Sequence, residues 1–337
     1  MTIKVAINGR YTFKSQSGMN SWSAQVTDEL SKLGSAAFQY QILVPSKYFR
    51  NGILGHLWEQ VIFPLRALGT DYIFCPSNFG PILSRKTVVV IHDIIPISHP
   101  ELFSRFYANC AKYLTSILAK QACLILTVSN FSKESIIHFL KIEPKKISVV
   151  GGGVSFADFS NESSPIETEY FLCVGGDNLR KNLDFLLGFW ETIYSQTKVK
   201  LLVTTQGESK TFLNYTVPSS EYLVVVHKPS DETLRYFYRK CMALLWPSLV
   251  EGFGLPLLEV MAQGKPFLSL NTGVAQEICV NESRVLPPDK AIWQKEILKF
   301  CESRSSTDAG QISKATTYSW NSVACKADES IRKHSRK

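Results

Sequence analysis

Apolar and polar positions follow two rhythms along the chain. Nearly unbroken apolar runs at Ile3–Asn8, Tyr40–Val44, Tyr72–Cys75, Thr87–His92, Cys123–Val128 and Ile147–Val150 read as buried strands. Between them, Ser21–Leu33, Leu54–Leu68 (interrupted by Pro64), Ser104–Lys120 and Ser132–Phe139 read as helices that bury one face. From Ser155 to Glu169 the hydrophobic pattern lapses into Ser, Asn, Glu and Pro. A second alternation follows, with strands at Tyr170–Gly175, Leu201–Thr205, Tyr222–Val226, Ala243–Trp246 and Pro266–Ser269. Its helices start at Asn182, cover Asp231–Arg239 and surround Glu259. Apolar strands separated by helices imply parallel sheets covered on both faces. The expected fold is therefore α/β, with two doubly wound, Rossmann-like domains facing across a cleft at the carboxyl ends of their strands. The expected divisions are 1–155, a linker at 156–169, 170–318, and a basic helical tail at 319–337.

Composition narrows the class. A chain of 337 residues holds two domains of ordinary size, and 45% apolar with 20% charged residues describes a globular protein. No apolar run reaches the length of a membrane span, and the first residues read as a strand rather than a leader, so a cytosolic protein is expected. The eight cysteines include no Cys-x-x-Cys pair and read as reduced core residues. A net charge of +8 favours anionic partners, although no nucleic-acid motif accompanies it. Basic and aromatic residues interleave at Lys47-Tyr48-Phe49-Arg50 and at Arg105-Phe106-Tyr107, with Lys112, Tyr113 and Lys120. That mixture suits peripheral contact with an anionic membrane.

The chemistry concentrates in Glu251-Gly252-Phe253-Gly254-Leu255-Pro256-Leu257-Leu258-Glu259. The apolar Ala243–Trp246 strand empties into a turn at Pro247. Gly252 and Gly254 allow tight backbone there, and Pro256 fits the first position of a new helix. The N–H groups at such a helix start form an anion site. Glu251 lies before it and Glu259 about one turn inside, so a phosphate position is flanked by two carboxylates that can accept hydroxyl hydrogen bonds. The combination suits a sugar nucleotide.

This nine-residue string resembles the signature of the retaining glycosyltransferases of family four, which have the two-domain GT-B fold. The resemblance implies that Glu259 holds the nucleotide ribose and that Glu251 lies beside the donor sugar, with Gly252, Phe253, Gly254 and Leu255 against the donor. Val89-Val-Ile-His92-Asp93 and Val128-Ser129-Asn130-Phe131-Ser132 resemble a bacterial subgroup that builds surface polysaccharides, and imply a sugar contact for His92. In Val174-Gly175-Gly176-Asp177-Asn178-Leu179-Arg180-Lys181-Asn182, Lys181 supplies charge for the diphosphate. The family commonly has arginine at the position of Gly176, and Arg180 is the candidate substitute. The resemblance further implies that Gly18, in a loop with Asn8-Gly9-Arg10, faces the phosphates and the acceptor, and that backbone at Val226, His227 and Lys228 meets the nucleobase.

The chain contains no Asp-x-Asp, so no metal ligand and no cofactor beyond the nucleoside diphosphate sugar is expected. The expected reaction is retaining transfer of a hexose, with mannose from its guanosine diphosphate as first guess. The acceptor would be a hydroxyl of a lipid-linked saccharide in O-antigen, lipopolysaccharide or capsule. The alternatives are a phosphorylase or epimerase of the same fold, or a non-catalytic protein that binds nucleotide sugars.

Overall fold

A computed structural model of the chain describes residues 2–13, 18–33, 38–49, 52–155, 168–207, 216–280, 283–303 and 308–336. The chain divides into two compact units, and each is built on its own sheet. Met1–Ser98, Phe106–Gly153 and Ser319–Lys337 form the first, while His99–Arg105 and Val154–Tyr318 form the second. The expected block 1–155 is therefore not continuous, because His99–Arg105 groups with the second unit. Most of the expected linker, 156–167, lies outside the described residues.

The first sheet contains β1 (Ile3–Asn8), β2 (Phe38–Leu43), β3 (Tyr72–Cys75), β4 (Thr87–Val90), β5 (Leu124–Thr127) and β6 (Ile147–Val149). They are parallel and ordered β2-β1-β3-β4-β5-β6. Every residue of β4 and β5 is buried, as expected of central strands covered on both faces. The last helix, Trp320–Ser335, starts at a Ser319 cap and packs on helix Gly18–Lys32 through Val323, Ala324, Ala327 and Ile331. The Tyr40 hydroxyl donates to Asp328 at 2.6 Å and ties that helix to β2.

The second sheet contains β7 (Tyr170–Val174), β8 (Lys200–Thr205), β9 (Leu223–His227), β10 (Leu244–Trp246), β11 (Phe267–Leu270) and β12 (Arg284–Leu286). Its order is β12-β11-β10-β7-β8-β9, again parallel throughout. The chain winds outward from β7 in one direction and from β10 in the other, so the strand order reverses between these two neighbours. Phe171, Leu186, Trp190, Leu201 and Trp293 build the core on one face. The strand β12 and the helices Val274–Ile278, Lys290–Ser303 and Ala309–Thr316 lie beyond the elements that the sequence pattern predicts. Among the described residues no helix is long and apolar enough to cross a membrane.

One helical stretch departs from expectation in an informative way. Pro64 does not interrupt it. Instead, helix Gly52–Leu57 widens into a π turn at Trp58–Ile62 and continues as Phe63–Arg66. The wider turn ahead of the proline relieves the clash its ring would make with a regular preceding turn. That turn carries Glu59, fully buried, whose carboxylate accepts from Arg10 Nη1 at 2.8 Å and Asn8 Nδ2 at 2.9 Å. Asn8-Gly9-Arg10 is thus a buried brace between β1 and the π turn, not the flexible phosphate-facing loop expected from sequence. Replacing Arg10 by Ala leaves Glu59 charged, buried and short of its cation. Such a loss costs about 3–5 kcal/mol, read as a lowered midpoint in urea unfolding, and Arg10→Met with Glu59→Leu is expected to recover most of it.

Candidate functional site

The carboxyl end of the second sheet gathers most of the candidate residues, and the reversal between β7 and β10 is where an open α/β sheet leaves a crevice for a ligand. Two loops meet there. After β7 the chain turns at Gly175, whose φ of +76° favours glycine, and Asn178 caps a short helical turn at Leu179–Lys181 by accepting from the Arg180 amide. After β10 it runs through Pro247 to Gly254. The loops are stitched together: Leu249 N donates to Arg180 O at 3.0 Å, Arg180 Nη1 to Val250 O at 2.9 Å, and Asn182 Nδ2 to Pro247 O at 3.2 Å.

Glu251 is the centre of this arrangement. It is 6% exposed, and both oxygens are engaged. Arg180 Nη1 stands 2.5 Å from Oε2, while Oε1 accepts from Lys181 Nζ at 2.7 Å and from Ser248 Oγ at 2.5 Å. Lys181 Nζ also lies 3.6 Å from the centroid of the Trp246 ring, a cation–π contact on its other side. Burial alone would raise the Glu251 carboxyl, but the fields of Arg180 and Lys181 and the hydrogen bonds from Lys181 and Ser248 outweigh it and hold the group at about 2. Burial pulls Lys181 the other way, and the neighbouring Arg180 adds to it. Glu251 only partly compensates, which leaves the ammonium at about 7. With both basic groups protonated, two cations face the Glu251 carboxylate.

Gly176 explains where those cations come from. A β-carbon there would stand 2.4 Å from Val203 Cγ1 and 3.0 Å from Leu183 Cδ2, so the packing excludes an arginine at this position. The guanidinium enters instead from Arg180, at the end of the loop.

The helix after Glu251 runs Leu255–Ala262, so Leu255 takes the first position and Pro256 the second, one residue later than the sequence suggests. Gly254 precedes it with φ +81° and no side-chain cap. Trp246 Nε1, a buried donor with no hydrogen-bond partner, lies 4.0 Å from where a β-carbon at Gly254 would stand. Glu259 lies one turn inside the helix and is partly buried. Burial raises its proton affinity; the nearby Tyr238 hydroxyl opposes this, yet makes no hydrogen bond of good geometry.

Val226, His227 and Lys228 sit at the end of β9, with His227 and Lys228 exposed. His227 Nδ1 shares a hydrogen bond of 2.7 Å with Thr205 Oγ1, and Lys228 adopts φ +46°. At the end of β8, Asp177 Oδ2 accepts from the amides of Gln206 (3.0 Å) and Gly207 (2.6 Å).

His92 and Gly18 belong to the first unit. The buried imidazole donates from Nε2 to Pro76 O at 3.0 Å and stands edge-on to Trp22. Burial lowers its pKa to about 4, against the opposing Pro76 hydrogen bond, so the ring is neutral at physiological pH. Asp93 accepts from Ile95 N at 3.1 Å and orders the loop. Gly18 begins helix Gly18–Lys32, and the preceding residues 14–17 lie outside the described residues.

Sequence reasoning missed Ser248, Trp246 and Asp177. Ser248 and Trp246 flank the turn proline at Pro247, a weak sign that a strand end serves a site.

Known proteins resemble this chain in sequence and in fold. Residues 168–303 match the family described as glycosyl transferases group 1. The chain is 28% identical over 280 residues to the O-antigen chain mannosyltransferase RfbU of Salmonella typhimurium, covering 80% of this chain and 78% of that protein. It is 27% identical over 278 residues to O-antigen chain mannosyltransferase B of Escherichia coli, covering 74% and 71%. Among solved structures, sucrose-phosphate synthase from Thermosynechococcus elongatus superposes with a TM-score of 0.72 at 14% identity over 98% of both chains. Anabaena HepE in complex with UDP-glucose gives 0.66 at 14%, over 98% of this chain and 100% of that one. Two wholly parallel doubly wound sheets are the fold of these solved structures: the chain is a glycosyltransferase of the GT-B fold, and residues 168–303 of its second unit match the glycosyl transferases group 1 family.

Proposed function

We propose that the protein transfers a hexose, with retention at the anomeric carbon, from a nucleoside diphosphate sugar to a hydroxyl of a lipid-linked saccharide. O-antigen, lipopolysaccharide or capsule is the product class, and mannose from its guanosine diphosphate is the leading donor. The relatives that bear O-antigen mannosyltransferase names support the sugar and the pathway class. One observation carries the donor reading: the buried cluster sets two basic side chains, Arg180 and Lys181, on Glu251 in the loop that leads into the Leu255–Ala262 helix. An anionic diphosphate completes that charge balance, and helix amides add to the attraction.

In this reading Lys181 and Arg180 meet the charge that grows on the departing diphosphate, without a metal ion or other cofactor. The bond between the anomeric carbon and the phosphate oxygen breaks as the acceptor oxygen bonds to the same face. The acceptor proton passes to the departing phosphate, so no protein nucleophile is needed. Glu251 has about four acceptor positions, of which Arg180, Lys181 and Ser248 use three; a donor-sugar hydroxyl takes the remaining one. Glu259 accepts from the ribose hydroxyls, Val226–Lys228 meet the base, and His92 contributes an uncharged imidazole to the transferred sugar. Gly18 stays close to the phosphates, as do Gly252, Phe253, Gly254 and Leu255. The exposed basic and aromatic residues of helix Arg105–Gln121 favour work at the inner face of a membrane.

A thermal-shift panel of nucleoside diphosphate sugars, followed by transfer to a lipid-linked acceptor, tests the assignment; stabilisation by none of them sinks it. Glu259→Ala removes charge-assisted hydrogen bonds of roughly 1.5–3 kcal/mol each, so nucleoside diphosphate affinity is expected to fall about tenfold or more in a calorimetric titration. Lys181→Ala is expected to depress kcat more than donor binding, because the charge it meets is largest in the transition state. The pH dependence has a definite sign. Lys181 is useful when protonated and titrates near 7 in the free protein, so kcat/KM should decline as pH rises through about 7. Lys181→Arg should move that limb upward, and an unchanged limb would assign it to another group.

A further inference from the structure

The helical stretch Gly52–Arg66 turns toward solvent a row of side chains for which the transfer reaction has no use. Ile53, Leu54, Leu57, Val61, Leu65 and, just past its end, Leu68 are 87, 50, 47, 46, 59 and 76% exposed. Residues spaced by four drift around a regular α-helix by about 40° per step. The π turn at Trp58–Ile62 holds more residues per turn and removes much of that drift. Positions 53, 57, 61 and 65 therefore stay on one side, while Gly55, Trp58, Glu59 and Phe63 stay buried on the other. The row runs for about 22 Å. Beside it lies a loop fastened by Gln60, whose Nε2 donates to Gly80 O at 2.8 Å and whose Oε1 accepts from Ile82 N at 2.9 Å. Leu83 on that loop is 89% exposed.

A continuous row of large aliphatic side chains is more apolar surface than a protein normally leaves to water, and it marks an interface. The surrounding charge selects the occupant. Between Phe38 and Thr70 the only acid is Glu59, and it is buried against Arg10. Lys47 and Arg66 are exposed at the two ends of the stretch, and Lys47 lies over the exposed Tyr48 ring. An apolar row with a basic rim, whose first exposed acid along the chain is Asp71 past its end, matches the interfacial region of an anionic bilayer, where aliphatic side chains enter the acyl boundary and cations meet lipid phosphates. We infer that helix Gly52–Arg66, through Ile53, Leu57, Val61 and Leu65, is the surface by which the protein lies on an anionic membrane. The inference deepens the lipid-linked-acceptor reading and rests on it for its purpose. It adds an apolar row to the Lys47–Phe49 segment that the sequence already suggests, and it is distinct from helix Arg105–Gln121.

The test uses the full chain, flotation with vesicles of phosphatidylglycerol and phosphatidylethanolamine or of phosphatidylcholine alone, and the variant Leu57→Glu/Val61→Glu/Leu65→Glu. These positions are exposed, so the melting temperature and nucleoside diphosphate binding are expected to stay unchanged. The parent protein should float with the anionic vesicles, and partitioning of the triple variant should fall about tenfold or more. Equal flotation of the two proteins overturns the inference. So does a parent that ignores vesicles; light scattering that then shows the variant turning a dimer into a monomer assigns the row to a second copy of the chain. Vesicle binding by the parent, lost in the variant, with no nucleotide binding by either protein, would support this surface and refute the donor reading separately.

Discussion

A carboxylate removed from water stays ionised only if something nearby replaces the solvent, and Glu251 is surrounded by such replacements. Arg180 and Lys181 supply charge, Ser248 supplies a hydroxyl, and the Trp246 ring supports Lys181 from its other side. The rest of the second unit can be seen as what holds these groups in place. The reversal of strand order brings the β7 and β10 loops together, the Asn178 cap shapes the turn that carries both cations, and the backbone bonds from Leu249 and Asn182 fasten one loop to the other. Breaking the carboxylate out of this cluster would leave like charges facing each other in a low-dielectric setting, where repulsion is strongest.

The same arrangement sets a balance between stability and readiness. A cluster with equal positive and negative charge would be quieter, but it would have nothing to offer an anion. Here burial, with the field of Arg180 added to it, lowers the proton affinity of Lys181, and Glu251 only partly offsets that.

The fold was legible because both sheets are parallel and buried, so their strands appear as apolar runs between amphipathic helices. The twelfth strand, Arg284–Leu286, escaped because it is three residues long and begins with an exposed arginine at a sheet edge. Pro64 misled for a different reason: a proline announces a lost N–H but not that a π turn will absorb it. At the site, Lys181, Glu251 and Glu259 were legible from one dense motif on each of two loops. What remained hidden was pairing. Nothing in the string tells that Glu251 spends its oxygens on Arg180 and Lys181, nor that Arg10 spends its charge on Glu59, since both contacts join residues far apart in sequence.

The crowding at Gly176 has a consequence for how the site can vary. Because Val203 closes off that position, both cations ride on the single turn Leu179–Lys181, adjacent in the chain and moved by the same backbone. Chains that draw one charge from each end of this loop can adjust the two independently. Here a displacement of one turn shifts both together, so the positive charge of the cluster is gained or lost as a unit, and its inheritance through mutation is correspondingly coarse.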